Sequence, residues 1–351
     1  MSQTTITVGA PRPMADERLA SRSLGRRVLT RPEIGSLIGA IVIYIFFFIV
    51  AETFRAPTSL ATVLYASSTI GMMAVSVALL MIGGEFDLSA GVAVTTASLT
   101  ASMFSYQLGL NLWIGVLVSL LVALGIGALN GYLVVRTGIP SFLVTLGTFL
   151  ILQGVNLAVT KIVTGNVATP SVAQMDGFAS ARAIFASEWN IGGALVRVTI
   201  LWWLVFVVIA TWVLLRTRIG NWIFAVGGAA QSARAVGVPV NRVKIGLFMT
   251  VGLMAWFSGM HLLFSFNTVQ SGEGIGNEFL YIIAAVIGGC LLTGGFGSAV
   301  GSAIGAFIFG MATQGIVYAG WNPDWFRTFL GIMLLLATVT NLWVRQAASR
   351  G

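Results

Sequence analysis

Glu85 and Asp87 stand two residues apart in the stretch MIGGEFDLSAGVAV, Met81 to Val94, between runs that are otherwise apolar. Carboxylates so placed could serve acid–base catalysis, ion coupling or the capping of a helix end. Other reactive side chains are scarce. The single cysteine, Cys290, excludes an intrachain disulfide and a multi-cysteine metal site, and the single histidine, His261, excludes a His cluster. Neither Lys161, followed by Ile162, nor Lys244, followed by Ile245, belongs to a G-x-x-x-x-G-K-[ST] loop, so the chain has no phosphate cradle of that kind. There is no G-x-S-x-G nucleophile turn either. The chain reads as no enzyme, binding no cofactor or metal of its own.

The elements that must position these groups are membrane helices. Of 351 residues, 57% are hydrophobic and 9% charged, against roughly 25% charged in a soluble domain. Apolar runs of spanning length recur at roughly 34–51, 60–82, 88–106, 112–134, 139–159, 198–215, 244–265, 278–292, 298–318 and 327–345. The expected fold is an all-α polytopic membrane protein of about ten transmembrane helices. The eighth run is short enough to be a half-helix packed inside protein.

The net charge of +8 is topological rather than a nucleic-acid face. Arg12, Arg18, Arg22, Arg26, Arg27 and Arg31 precede the first apolar run, and residues 1–33 read as a disordered or surface-lying cytoplasmic tail. Arg136, Arg216, Arg218, Arg234, Arg242, Lys244, Arg345 and Arg350 fall on the tail's side of a ten-span layout. Fourteen of the 19 basic residues are then inside, as an N-in, C-in chain requires. One permease domain, 34–346, is expected, with an external loop at 160–197 and an internal loop at 216–243.

Span arithmetic bears on the two acids. Leu60 to Ile82 rises about 34 Å as a helix, already more than a hydrocarbon core of about 30 Å. Glu85 and Asp87 therefore belong near the cytoplasmic face, where Gly83 and Gly84 break the helix. Asp87 is placed to cap a helix starting at Leu88, with direct contact to substrate or a gate as the alternative. The spans themselves hold almost no ionisable group. Lys244 and Glu278 sit at span ends, and His261 lies about one turn from an outer end, where a packing role outweighs a proton shuttle. That disfavours ion coupling.

A faint repeat links the two halves: slid by 210 residues, MIGGEFDLSAG lands on LLTGGFGSAVG, Leu291 to Gly301, matching Gly84 to Gly294, Phe86 to Phe296 and Gly91 to Gly301. The position matching Asp87 is Gly297, so the break itself does not demand a carboxylate. Gly297, Gly301 and Gly305 recur every fourth residue, on one helix face, as a close helix contact requires. In the internal loop, Ala229 to Val236 is helix-prone, with Gly237 and Pro239 as stop signals. Its basic residues could hold it to anionic headgroups, or the helix could dock into a partner. Asn130, Gln153, Asn156 and Gln314 are the candidate polar groups of a pore, although buried amides commonly bridge helices.

Four segments together resemble the permease subunit of ribose-type (monosaccharide) ABC importers, in the branched-chain amino acid/ribose permease family. Gly84-Glu85-Phe86-Asp87-Leu88-Ser89-Ala90-Gly91 is similar to that family's G-G-[IF]-D-L-S-x-G, with Glu85 where a second glycine is common. GIPSFLVTLGT (Gly138 to Thr148), TRIGNWIFAVGGAAQSARAVGVPVNRVKI (Thr217 to Ile245) and AAVIGGCLLTGGFGSAVGSAIGAFI resemble three further motifs of the family, in the same order. The resemblance implies a bacterial plasma-membrane importer: a second permease chain, a cytoplasmic ATPase that holds the ATP-Mg, and an extracytoplasmic sugar-binding protein. It implies that Ala230, Ala233, Arg234, Gly237 and Pro239 belong to a loop docking the ATPase, and that Gly83 to Gly91, including Ser89, form a signature helix break. A nucleoside or branched-chain amino acid is the alternative substrate, and an ion-coupled secondary transporter the more distant one.

Overall fold

The computed structural model describes residues 32–350, with side chains as far as Val339. The expected tail, 1–33, lies almost wholly outside the described residues. Among the described residues twelve α-helices follow one another: α1 (Pro32–Val50), α2 (Pro57–Ile82), α3 (Ala90–Gln107), α4 (Leu112–Thr137), α5 (Ser141–Thr164), α6 (Phe178–Phe185), α7 (Val198–Arg216), α8 (Arg218–Ala235), α9 (Val240–Phe266), α10 (Asn277–Ile287), α11 (Ala299–Tyr318) and α12 (Trp325–Arg350). Each of the ten expected runs coincides with one of them. Seven, namely α1, α2, α4, α5, α7, α9 and α11, are long and apolar enough to cross a membrane. The other three differ for physical reasons. Helix α3 is rich in Ser, Thr and Ala and buried along most of its length, so no lipid contact demands a greasy surface. Helix α10 and the apolar part of α12 are short.

The all-α fold carries one short hairpin besides its helices. The connection between α5 and α7 carries a hairpin, β1 (Glu188–Ile191) paired antiparallel with β2 (Ala194–Arg197), and its turn is Gly192-Gly193. Glu188 sits between Arg182 and Arg197 at 3.8 and 3.5 Å, and the Arg197 guanidinium lies 3.9 Å from the centre of the Tyr65 ring. Helix α5 runs to Thr164, where Gly165 ends it.

Burial sorts the helices into two layers. The richest windows of α2, α9 and α11 are 78%, 72% and 61% buried, and those of α1 and α5 only 22% and 11%. Helix α2 is flanked by α7, α9, α10 and α11, and α9 lies along α4 and α3. Outward faces carry Ile49, Leu121, Val208 and Leu335, a display that water would not tolerate over so wide an area and that lipid matches. Inside, glycine sets the spacing. Gly301 and Gly305 face the carbonyls of Gly288 and Ala284 so closely that a Cβ on either would fall 2.0 Å from the oxygen. Gly297 is not on that helix face, since α11 begins at Ala299.

Candidate functional site

Helix α2 ends as its glycines require. The N–H of Gly84, at φ +83°, donates to the carbonyl of Met81, and that of Glu85 to Leu80. The backbone then leaves helical geometry, which strands its N–H groups. Two hydroxyls of α5 receive them: Phe86 N–H donates to Ser141 Oγ at 3.0 Å and Leu88 N–H to Thr145 Oγ1 at 3.0 Å. The two segments GEFDLSAG and GIPSFLVTLGT are thus one structural unit, a pairing that linear order does not reveal.

Asp87 extends this unit. Its Oδ1 accepts from Ser89 N–H at 2.8 Å and from Ser89 Oγ at 2.6 Å. Ser89 Oγ in turn accepts from Asn130 Nδ2 at 2.9 Å, and Thr148 Oγ1 donates to Asn130 Oδ1 at 2.6 Å. The helix after the break begins at Ala90, not Leu88, so Asp87 caps a turn before the helix and its partner is Ser89 rather than a later N–H. Burial raises the pKa of the Asp87 carboxyl, and the hydrogen bonds from Ser89 and Asn130 oppose that rise.

Neither acid emerges at a surface. Glu85 is 7% and Asp87 3% exposed, because α8 folds over the end of α2. Hydropathy locates where a span stops and is silent about what covers its end. Glu85 forms an ion pair with Lys244 of α9. Its backbone has no positive φ, so a side chain is tolerated at this position of the signature.

The second break, after α10, reuses the same ending. Gly288, Gly289 and Cys290 donate to Ala284, Val286 and Ala285, as Gly83, Gly84 and Glu85 donate to Leu79, Met81 and Leu80. The helix ends Ile82 and Ile287 are 205 residues apart and the starts Ala90 and Ala299 are 209 apart. The second break is therefore four residues longer, and the ungapped offset of 210 aligns the helix starts to within a residue but not the helix ends.

The two breaks meet, and α8 joins them. Gly295 N–H donates to the Ile82 carbonyl at 2.8 Å. A Cβ on Gly227 would fall 1.7 Å from that same oxygen and 2.7 Å from Gly295 N, and one on Gly294 would fall 2.7 Å from Gly84 Cα. Three backbones thus touch with no side chain between them. Just beyond, Ala229 leaves helical geometry at φ −158°, ψ 82°. Helix α8 is accordingly longer than 229–236 and kinked. Its first part packs inward through Gly220, Ile223 and Val226, and its last turn carries Ala230 and Ala233 against the domain and leaves Arg234 exposed. Thr217 caps its start, accepting from Gly220 N–H. The tip closes at Gly237, φ +86°, with Val238 N–H donating to Ala233. Val236 is 80% exposed there, and Pro239 immediately precedes α9.

The four amides separate. Asn130 is fully buried in the network above, and Asn156 bridges to Thr96 Oγ1 and the Val92 carbonyl. Gln153 and Gln314 are half-buried. Gly91 packs against Gly274 and Glu278. His261 is buried beside the Phe185 carbonyl and the Tyr65 hydroxyl, at 2.9 and 3.2 Å. Sequence reasoning missed Ser141, Thr145, Thr148, Gly227 and the Lys244 pairing. The one available signal was the spacing of Gly220, Ile223 and Val226, an inward stripe in a loop otherwise read as polar.

Residues 59–338 match the family described as branched-chain amino acid transport system / permease component. The fructose import permease of Rhizobium meliloti is 28% identical over 301 residues, covering 86% of this chain and 82% of its own. The ribose import permease of Escherichia coli K12 is 29% identical over 322 residues, covering 90% and 97%. The galactose/methyl galactoside import permease of the same strain is 28% identical over 301 residues, covering 82% and 88%. No solved structure matches the chain.

Proposed function

The chain belongs to the branched-chain amino acid transport system / permease component family, and from that premise we propose that it is the translocation subunit of an ATP-driven, binding-protein-dependent importer for a ribose-type monosaccharide. The family is one of transport permeases, not enzymes, so the chain is the membrane permease component of an ABC importer and a multi-pass protein of the inner membrane. In the proposed assembly all ten helices are embedded with both chain ends cytoplasmic. Residues 1–33 form the tail and 34–346 the permease domain. A second permease chain, identical or paralogous, completes the pathway. A cytoplasmic ATPase holds ATP-Mg and docks on Ala230, Ala233, Arg234, Gly237 and Pro239, and a sugar-binding protein delivers substrate outside. The sugar reading draws on the fructose, ribose and galactose permeases above. The family description favours a second reading, a branched-chain amino acid.

One observation supports the mechanism best: the kinked helix α8 touches both helix breaks backbone to backbone at Gly227. Force on the exposed tip at Val236 passes through that contact to Ile82, Gly84 and Gly295 with no flexible side chain to absorb it. The breaks then re-aim α3 and α11, and the outward and inward openings alternate. Binding energy from the partner is the only work source this needs, in keeping with a chain that has no phosphate loop.

Gly227→Ala tests this. Relieving a 1.7 Å approach to the 3.0 Å that real Cβ contacts reach displaces α8 by about 1.3 Å, and overpacking of this kind costs about 1–3 kcal/mol. Imposed on one of two alternating states, that shifts their balance by about 5- to 150-fold. Reconstituted with its ATPase and binding protein, the variant is expected to insert and assemble but lose at least most of its ATP-driven ribose uptake. Gly228→Ala, whose Cβ meets nothing within 4 Å, is expected to transport normally. Full uptake by Gly227→Ala overturns the coupling route, and uptake driven by a proton gradient without any ATPase overturns the whole reading.

A further inference from the structure

Helices α7 and α9 both pack on α2. At the outer end they are joined by Trp202, Phe206 and Phe257, with ring centres 5.0 Å apart for Phe206–Phe257 and 5.3 Å for Trp202–Phe257. Below that junction they leave a groove of about 620 Å³, floored by Val75 and Leu79 of α2 and closed at the far end by Trp222 of α8. The wall is apolar in effect as well as in composition. Its two hydroxyls, Ser76 and Thr250, both donate to carbonyls of their own helices, Met73 and Gly246. Away from Arg242 and Trp222 at one end, the lining offers a sugar's hydroxyls few partners, which sets this groove apart from a substrate path.

Three features describe the occupant. The groove has a lip of Ile209 and Leu253, 51% and 37% exposed, on helices that present apolar side chains outward to lipid. From Arg242 to Met254 the lining of α9 rises about 18 Å, close to one leaflet of a hydrocarbon core about 30 Å thick. Its one charged lining residue, Arg242, is exposed and lies at the α8 end, in the first turn of α9, while Arg216 and Arg218 are exposed at the α7–α8 junction. A cationic rim over an apolar slot one leaflet long matches a molecule with an anionic head and a hydrocarbon tail.

We propose that this groove binds one acyl chain of an anionic phospholipid from the inner leaflet, with the lipid phosphate held at Arg242 beside Trp222. The lipid then wedges between α7 and α9 directly above the first part of α8, so that occupancy sets how freely α8 moves against the two helix breaks. The site is separate from the Gly227 contact, and lipid binding is measurable without transport.

The test is native mass spectrometry of the delipidated full-length chain in detergent, titrated with phosphatidylglycerol or with phosphatidylcholine of the same acyl chains. One saturable phosphatidylglycerol per chain is expected, with phosphatidylcholine bound about fivefold more weakly, the worth of about one basic residue near a surface. Arg242→Gln should weaken phosphatidylglycerol by about the same factor. Gly246→Leu should abolish binding by filling the slot. Position 246 lines the groove, and a Cβ there meets nothing within 4 Å, so this variant folds. Equal binding of the two lipids, or unchanged phosphatidylglycerol affinity in both variants, overturns the proposal. So does a change of oligomeric state in Gly246→Leu with lipid binding intact, which would assign the groove to a second copy of the chain.

Discussion

Breaking the Glu85–Lys244 pair should destabilise the protein mainly through the unpaired charge that stays buried, and only secondarily through the attraction removed. The Glu85 side chain is 9% exposed and that of Lys244 21%, so each keeps little water of its own. Removing one member of a fully buried pair costs about 3–5 kcal/mol, and replacing both is often neutral. Partial access of Lys244 to solvent screens some of this, and about 2–3 kcal/mol is expected for Glu85→Gln or Lys244→Met alone. The double variant should lie within about 1 kcal/mol of the parent, giving a coupling of about 3 kcal/mol or more. The assay is equilibrium unfolding in mixed micelles titrated with sodium dodecyl sulfate, run on all four chains. Because the pair ties the first helix break to the start of α9, the same four chains should show in uptake assays whether the pair also holds one transport state. Single variants each within about 0.5 kcal/mol of the parent, adding without coupling, would refute the argument that this pair is sealed beneath α8.

Two further outcomes follow from the same region. Gly237→Pro should uncouple the ATPase while leaving insertion intact: proline fixes φ near −65°, against +86° at Gly237, and it removes the N–H that donates to Arg234. Co-purification of the ATPase and ATP-driven uptake should both fall, and normal uptake would refute the docking role of the tip. Asp87→Asn tests the buried carboxyl. Its pKa is raised in the folded chain, so its contribution to stability is fully present below the ordinary value of about 3.8 and is lost as pH rises through the folded value. Asparagine can still accept from Ser89, so at neutral pH the variant should be at least as stable as the parent, and the gap should close as pH falls. A gap that widens on acidification would show that the carboxylate is stabilised in its ionised form.

How much of this was legible in the sequence depends on how far apart the partners lie. The end of α2 was readable because Gly83 and Gly84 follow a long apolar run, and the stop at Gly237 because Pro239 comes next. Both are local chemistry. The fate of the N–H groups stranded by the break was not readable, since their acceptors, Ser141 and Thr145, lie 55 and 57 residues away, and serine and threonine are ordinary residues in a membrane helix. The Lys244 pairing spans 159 residues. The second break escaped alignment because its four extra residues shift the register between its two ends, so that a gapless comparison placed Gly294 on Gly84 for a reason other than equivalence.

That coincidence is instructive, because Gly84 and Gly294 do meet in space although they are not counterparts in the two breaks. A Cβ on Gly294 would lie 2.7 Å from Gly84 Cα, and one on Gly227 would strike Ile82. Gly84 and Gly294 are thus held to glycine twice, by a left-handed turn and by this contact, and Gly227 by the contact alone. A lipid-embedded domain has no hydrophobic drive to hold its helices together, and backbone contact of this closeness replaces it with packing and a hydrogen bond. The same closeness leaves little slack. Any movement that parts the two breaks must break the Gly295–Ile82 hydrogen bond and leave a backbone carbonyl that water cannot readily reach. The cost of an unmet buried group, about 1–3 kcal/mol, is then the barrier that makes the joint movement the cheaper one.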